Sequence, residues 1–212
     1  MHIKTIALFG GSGKTGLQFL TLAIKAGFKI QALVRTPSKI GFTRPALTVI
    51  QGDVLDPAAV QRTVAGADVV VSVFGHVKGS PEWVQTDGTR HILQAMDQAG
   101  VKKIISLSGG GLPYEKDKPG FLDHLIRTIM KIAVPKVLND AVKHAELLAA
   151  SDKDWTIVRG PRLTDDPAKG TYRVGWVGVN ASTRISRADL ADFLLRQVSS
   201  DEFMRQMPFV SW

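Results

Sequence analysis

Short apolar runs alternate with longer amphipathic stretches from the first residues to about position 158. This rhythm is typical of a parallel β-sheet covered by helices. Several of the apolar runs are rich in Val and Ile without alternation, which indicates strands buried on both faces. We predict strands over residues 3–9, 29–34, 47–50, 69–74, 103–107 and 156–158, and helices over residues 13–26, 57–65, 82–99, 120–133 and 135–150. The pattern therefore predicts an α/β protein with a doubly wound, mostly parallel sheet and helices on both faces.

Glycine and proline mark several boundaries of these elements. Gly27, Gly66 and Gly100 follow three predicted helices, where a left-handed residue often ends a helix. Pro135 is expected to break the helical segment that begins near residue 120.

Beyond residue 160 the alternation loosens. A glycine-containing stretch over residues 162–183 includes a predicted short hairpin at 172–179. A final helix is predicted to start at Ser186 or Asp189, and a last strand covers residues 207–210. We expect one domain over residues 1–212, with a small substrate-side lobe contributed by about residues 160–185.

Composition excludes several classes of protein. Hydrophobic residues make up 44% of the chain and charged residues 22%, as in ordinary globular proteins. The absence of cysteine excludes disulfides, thiolate metal sites and a cysteine nucleophile, and we predict no metal site. We find no signal-peptide pattern and no run of eighteen apolar residues, so we expect a cytoplasmic protein without a membrane partner.

The chain is basic, with 27 Lys and Arg against 19 Asp and Glu and a formal net charge of +8. Such a charge suits either a nucleic acid or an anionic small molecule. The basic residues are scattered and do not alternate with aromatic residues, so we favour the small molecule and expect no nucleic-acid partner.

A glycine-rich turn joins the first predicted strand to the first helix: Gly10, Gly11, Ser12, Gly13, Lys14, Thr15 and Gly16. It satisfies both GxxGxxG and GxGxxG. Glycines permit positive φ, close approach of a pyrophosphate and tight packing of helix on strand. The free N–H groups and the dipole of the helix N-terminus attract phosphate. The turn therefore predicts dinucleotide binding on a Rossmann-type sheet.

Two other interpretations of this turn remain. The segment from Gly13 to Thr15 also matches the end of a P-loop, which would imply nucleotide hydrolysis. That motif requires a glycine five residues before Gly13, where this chain has Leu8 inside the strand. The turn could also be purely structural. Its position between strand and helix favours dinucleotide binding over both.

The end of the second strand indicates which dinucleotide is bound. NAD-binding sheets place Asp or Glu there to accept the ribose 2′-OH, but this chain has Arg35. A guanidinium suits the 2′-phosphate of NADP, with Lys39 as a second contact. We therefore predict NADP(H), with NAD(H) less favoured; the alternative is that Arg35 is only a solvated strand end.

The ends of the third and fourth strands supply further candidates. Asp53 and Val54 follow the third strand and could contact the adenine edge, although Asp53 could equally cap the local turn. Phe74 and Gly75 end the fourth strand, beside the expected nicotinamide ribose. His76 follows them and is a candidate for the substrate site.

Motifs spread along the chain resemble the atypical short-chain dehydrogenase/reductase family, in its NAD(P)H-binding, NmrA-like group. They are the glycine turn at 10–16, ALVR at 32–35, GDV at 52–54, VAGADVV at 64–70, ISLS at 105–108, WTIVR at 155–159 and ISRADLA at 185–191. The layout is most similar to the flavin reductase and biliverdin-IXβ reductase branch. The resemblance implies a Rossmann-fold oxidoreductase.

Classical members of that family carry a catalytic Ser and a helical Tyr and Lys four residues apart. Ser108 matches the Ser. Tyr114 and Lys118 have the right spacing, but Pro113 and Pro119 flank them, so a helical pair is not expected there.

The family's helix corresponds better to residues 136–150. In that frame Asn139 stands in the Tyr position and Lys143 in the Lys position, so Ser108 and Lys143 are the catalytic candidates that the resemblance implies. Lys143 could hydrogen-bond the nicotinamide ribose, or it could be an ordinary exposed residue.

We therefore expect a reductase that transfers hydride from NADPH to a flat conjugated acceptor such as a flavin, a quinone or a biliverdin-like tetrapyrrole. Acceptor-side candidates are His76, Trp83, Pro161 and Arg162. The missing Tyr leaves a second hypothesis open, a redox sensor that binds NADP(H) without turnover. A sugar-epimerase reading fits poorly, because the segment after residue 160 is short for a sugar-binding lobe. The oligomeric state cannot be read from these patterns.

Overall fold

The computed structural model describes residues 4–212. Its elements are β1 (Thr5–Phe9), α1 (Lys14–Lys25), β2 (Lys29–Val34), β3 (Leu47–Gln51), α2 (Pro57–Val64), β4 (Val69–Ser72), α3 (Val84–Ala99), β5 (Lys103–Gly109), α4 (Phe121–Ala133), α5 (Pro135–Ala149), β6 (Asp154–Gly160), β7 (Arg162–Thr164), β8 (Arg173–Gly175), β9 (Arg184–Ser186), α6 (Arg187–Ser199) and β10 (Phe209–Ser211). A short 3-10 helix, Pro37–Lys39, follows β2.

Eight strands form one sheet in the order β3-β2-β1-β4-β5-β6-β10-β8. Every neighbouring pair is parallel except β10 with β8. The strand order reverses at β1, whose two neighbours are β2 and β4. In an open parallel sheet, ligands bind at the carboxyl ends of the strands beside such a reversal. The predicted doubly wound fold is confirmed.

Helices cover both faces of the sheet. Helices α1 and α6 pack together on one face, and α2, α3 and α5 pack on the other. Each face has its own cluster of buried apolar side chains. The central strands contribute to both clusters because alternate side chains of a strand point to opposite faces, which is why their sequences are apolar throughout.

Most predicted boundaries hold to within two residues. Gly27, Gly66 and Gly100 all have positive φ after their helices, as predicted. Strand β1 begins at Thr5; the predicted start at residue 3 lies outside the described residues. Pro135 starts a new helix, as expected, because Val134 before it has a non-helical backbone conformation, with φ −139° and ψ 51°.

The predicted hairpin over residues 172–179 is only partly present. Strand β8 pairs antiparallel with β10 at the sheet edge instead of with its own continuation. Only Trp176 and Val179 bridge each other across a tight turn. Pairing with β10 provides hydrogen-bond partners for the backbone of β8 over three residues. A tight turn that returns at Val179 provides only the single bridge to Trp176.

Helix α4 differs from the other helices because none of its residues is buried. Its outward side exposes several large apolar side chains, among them Phe121 and Ile132. In residues 4–212, no helix is both long enough and apolar enough to cross a membrane.

Candidate functional site

The glycine turn is built so that side chains would not fit. Gly10 has φ +86°, and a Cβ placed on it would lie 2.6 Å from the backbone nitrogen of Phe74. A Cβ on Gly16 would overlap the Gly10 carbonyl oxygen. Helix α1 starts directly after Gly13 with no side-chain cap and no acidic residue in its first turn. The N–H groups of that turn therefore remain available to an anionic ligand.

A cleft of about 300 Å³ lies at the carboxyl ends of β1 to β4. Among the predicted cofactor and substrate residues, it is lined by Gly10, Ser12, Gly13, Arg35, Lys39, Asp53, Val54, Phe74, Gly75 and His76. The close packing of α3 holds two of them in place, since a Cβ on Gly88 would lie within 3.0 Å of Val54 and Phe74 side-chain atoms.

At the outer end of the cleft, Arg35 and Asp53 form a long ion pair, with 3.9 Å between Nε and Oδ2. Asp53 also accepts a hydrogen bond from the backbone N–H of Leu55 at 2.9 Å, so it caps its own turn. Both side chains are substantially exposed, and such a pair contributes little stability. The guanidinium can therefore turn to a phosphate at little cost.

The remaining residues of the glycine turn lie beside the cleft, and they do not line it. A Cβ on Gly11 would contact Leu8 and Leu20 in the core. The side chain of Lys14 forms a 2.6 Å ion pair with Asp165, which also binds Arg187. This link joins the start of α1 to the segment after β7.

A second, larger pocket of about 610 Å³ lies at the carboxyl ends of β5 and β6, beside Phe209 at the start of β10. Its walls come from the loop between β5 and α4, from one side of α4, and from residues 160–183. The predicted residues Pro161 and Arg162 line it. His76 lines the first cleft, and Trp83 lines neither.

Arg159 fixes the loop wall of this pocket. Its side chain is fully buried, and its guanidinium donates to both carboxylate oxygens of Asp117 at 2.8 Å and to the Leu112 carbonyl at 2.9 Å. Tyr114 and Lys118 lie in this loop, outside any helix, as the flanking prolines predict. Burial is the largest cause of the raised pKa of the Tyr114 phenol.

The two catalytic candidates have different surroundings. Ser108, near the end of β5, is buried, and its Oγ has no hydrogen-bond partner within residues 4–212. Lys143 is exposed on α5, with its Nζ 4.0 Å from the centre of the Trp83 ring. Asn139 is also exposed. The contact of Lys143 with the nicotinamide ribose stays a prediction.

Two residues that the sequence reading missed face inward from the same helix. Asp140 is fully buried and accepts hydrogen bonds from the backbone N–H groups of Gln85 and Thr86, from the Thr86 hydroxyl, and from Nε2 of His76 at 2.7 Å. Both carboxylate oxygens already accept from backbone N–H groups, and the His76 tautomer that carries its proton on Nε2 completes this set of donors. This network ties α5 to the cleft residue His76 and to the start of α3.

His144 stands one turn after Asp140. Its Nδ1 is 2.9 Å from the Thr89 hydroxyl and its Nε2 is 3.0 Å from that of Ser106. Burial lowers the pKa of His144 to about 4, against a smaller opposing effect of the Asp140 charge. The sequence carries a signal for the inward orientation of both residues, because a spacing of four places Asp140 and His144 on the same helix face as Ala141 and Ala145.

The buried imidazole predicts a pH effect on stability. In the unfolded chain, His144 becomes protonated as pH falls below its ordinary pKa of 6.5. In the folded chain, His144 stays neutral until about pH 4. The free energy of unfolding should therefore decrease as pH falls through this window, by up to roughly 3 kcal/mol from this group. Urea unfolding at a series of pH values would measure it. His144→Gln should flatten the decrease, and exposed His124→Gln should not; equal slopes in all three proteins would contradict the prediction.

Comparison with known proteins gives a family match. A family model described as NAD(P)H-binding matches residues 10–201. The uncharacterised protein YwnB of Bacillus subtilis is 25% identical over 206 residues, covering 93% of both chains. Six other curated relatives align with only 47–56% of this chain and are matched over 12–38% of their own lengths.

Solved structures share the fold. A short-chain dehydrogenase/reductase from Veillonella parvula in complex with NADP superposes with a TM-score of 0.79 at 18% identity, over 100% of this chain and 95% of the other. The anaerobillin reductase ChuY of Escherichia coli O157:H7 gives a TM-score of 0.77 at 19% identity, over 98% and 96%. At these identities the likeness establishes the Rossmann-type architecture.

Proposed function

Since this chain belongs to the NAD(P)H-binding family and has the fold of short-chain dehydrogenases/reductases, we propose that it is an NADPH-dependent reductase of a flat conjugated acceptor. Hydride would pass from C4 of the nicotinamide to the acceptor, NADPH would become NADP⁺, and a proton from water would complete the reduced acceptor. The protein's contribution would be to bind and orient the two molecules and to exclude solvent.

One observation supports this proposal above the others. The cleft that the glycine turn lines and a larger, mostly apolar pocket both lie on the carboxyl-end side of the same sheet. Ser108 precedes Gly109, which lines the pocket, and the buried Ser108 hydroxyl has no partner among residues 4–212. A buried hydroxyl without a partner is costly, so Ser108 is suited to donate to a bound nicotinamide or acceptor.

The cleft supports binding of the phosphorylated dinucleotide. The first-turn amides of α1 would hold the pyrophosphate, while Arg35 and Lys39 would hold the 2′-phosphate. Gly75, where a Cβ would meet no atom within 4 Å, leaves room beside the ribose. The neighbour that binds NADP is consistent with this preference.

The preference for NADPH can be tested at Arg35. Arg35→Ala should weaken NADPH binding by roughly 10- to 100-fold, because a charge-assisted contact contributes about 1.5–3 kcal/mol. NADH, which lacks the 2′-phosphate, should change little. Calorimetric titration of both coenzymes measures this, with Arg44→Ala as a control for the loss of one exposed cation. An unchanged NADPH-to-NADH affinity ratio in Arg35→Ala would refute the assignment.

Reductase activity is tested by mixing the pure protein with NADPH and a panel of flavins, quinones and biliverdin. A reductase should give a steady, acceptor-dependent loss of nicotinamide absorbance. The second candidate, a redox sensor, is favoured by the exposed Asn139 in place of a catalytic Tyr. A sensor should bind NADPH and show no loss with any acceptor.

A further inference from the structure

The larger pocket is lined by two arginines from different elements. Arg127 belongs to α4, and Arg162 is the first residue of β7. Much of the remaining lining is apolar, including Leu112, Met130 and Phe209. Two guanidinium groups are an unusual feature of a pocket that otherwise suits a flat aromatic body.

The acidic groups of this pocket are already engaged. Both carboxylate oxygens of Asp117 accept from Arg159. Asp123 accepts the backbone N–H of Gly120 at 2.9 Å and caps α4. Neither carboxylate forms an ion pair with Arg127 or Arg162 among residues 4–212.

The two arginines differ in burial. The Nε of Arg127 is buried and has no hydrogen-bond partner in the described part of the chain. Arg162 is exposed, so its guanidinium is accessible to a ligand. A buried guanidinium N–H without an acceptor costs free energy, and an anionic oxygen would offset that cost.

We propose that Arg127 and Arg162 form an anion subsite, so that the acceptor is a planar conjugated molecule bearing a carboxylate or phosphate group. The ring system would pack on the apolar walls, and the anionic group would accept hydrogen bonds from the guanidinium forks. The inference that the bound molecule is a hydride acceptor rests on the proposed function, whereas the anion subsite itself requires only that the molecule binds.

Matched ligand pairs test the subsite without turnover. In the presence of saturating NADP⁺, which cannot donate hydride, calorimetry would compare anthraquinone-2-carboxylate with its methyl ester, and FMN with riboflavin. At least a 10-fold preference for the anionic member of either pair is expected, and it should shrink as NaCl is raised. The first pair reports a carboxylate source and the second a phosphate source. Equal affinities within both pairs would overturn the proposal.

Variants separate the subsite from the general positive charge of the chain. Arg127→Ala and Arg162→Ala should each reduce the anion preference at least 5-fold, and Arg127→Lys should restore only part of it because an ammonium lacks the planar fork. Lys131→Ala, an exposed residue of the same helix, removes the same charge and should keep the preference. A preference lost equally in Lys131→Ala would also overturn the proposal.

These experiments distinguish failure of the anion subsite from failure of the proposed reductase function. An anion preference without NADPH oxidation by any acceptor would refute the reductase and keep the subsite. Oxidation of NADPH by neutral and anionic acceptors with equal kcat/KM, together with equal binding, would keep the reductase and refute the subsite.

Discussion

Replacing Gly16 with alanine is expected to abolish measurable NADP(H) binding, with at least about a 100-fold loss of affinity. A Cβ at this position would overlap the Gly10 carbonyl oxygen and lie 2.8 Å from the Gly11 Cα. These are backbone atoms of the turn itself, so no side chain can move aside to relieve the contact. The turn would have to open, and the first-turn amides of α1 would no longer point at one phosphate position.

The measurement is a calorimetric titration with NADPH, accompanied by a thermal unfolding curve that shows whether the variant is folded. Gly120→Ala is the matched control, because its Cβ would approach only Asp123 Oδ2, at 3.8 Å. If Gly16→Ala does not fold, Gly13→Ala provides the second variant, since its Cβ would lie 3.3 Å from the Gly10 oxygen. That protein should fold and bind NADPH more weakly. Affinity equal to the unsubstituted protein in a folded Gly16→Ala would contradict the glycine argument.

Replacing Asp140 with alanine is expected to cost about 3–5 kcal/mol of unfolding free energy, the largest stability effect that we predict. The carboxylate is fully buried and accepts from Gln85, Thr86 and His76. The substitution removes this acceptor from the two backbone N–H groups and from His76, while the Thr86 hydroxyl keeps only its 3.3 Å contact with the Asp140 carbonyl oxygen. Each buried donor without a partner costs roughly 1–3 kcal/mol. For a chain of 212 residues the melting temperature should fall by on the order of 10 °C.

Urea unfolding followed by circular dichroism would measure this loss. Asn139→Ala is the natural control, because Asn139 is the preceding residue on α5 and is exposed; its effect should stay within about 0.5 kcal/mol. Asp140→Asn keeps the side-chain volume but exchanges one acceptor for a donor. The free energy of unfolding of this variant should therefore remain well below that of the unsubstituted protein. A loss under about 1 kcal/mol in Asp140→Ala would show that the network contributes little.

Much of the fold could be predicted from the chain alone. Strands buried on both faces need apolar residues throughout, helices need a stripe every three or four residues, and positive φ after a helix favours glycine. These are local requirements, so they are readable in β1, α1 and Gly100. The same holds for the glycine turn, whose position between strand and helix follows from adjacent residues.

The pairing of distant segments was harder to predict. Strand β8 pairs with β10, thirty-odd residues later in the chain, instead of folding on itself. The turn residues around positions 172–179 are compatible both with a local hairpin and with pairing of β8 to a distant strand. Which strand edge is free to accept β8 depends on the finished sheet.

The hydrogen-bond networks of Asp140 and His144 were also not predictable from local sequence. On α5 the resemblance drew attention to Asn139 and Lys143, yet the inward positions belong to Asp140 and His144. Their partners lie in different parts of the sheet, since His76 follows β4 and Ser106 lies in the middle of β5. Only the packing of α5 on the sheet brings them within hydrogen-bond distance.

The sequence by itself determined the α/β architecture, the glycine-rich turn between β1 and α1, and the basic residue at the end of β2, because each depends on residues close together in the chain. Only the tertiary structure decided that Arg127 and Arg162 share one pocket, that Asp140 holds His76, and that Lys143 rests on Trp83. Such contacts join elements far apart in sequence. Their formation depends on how whole helices dock on the sheet, and local spacing does not encode that docking.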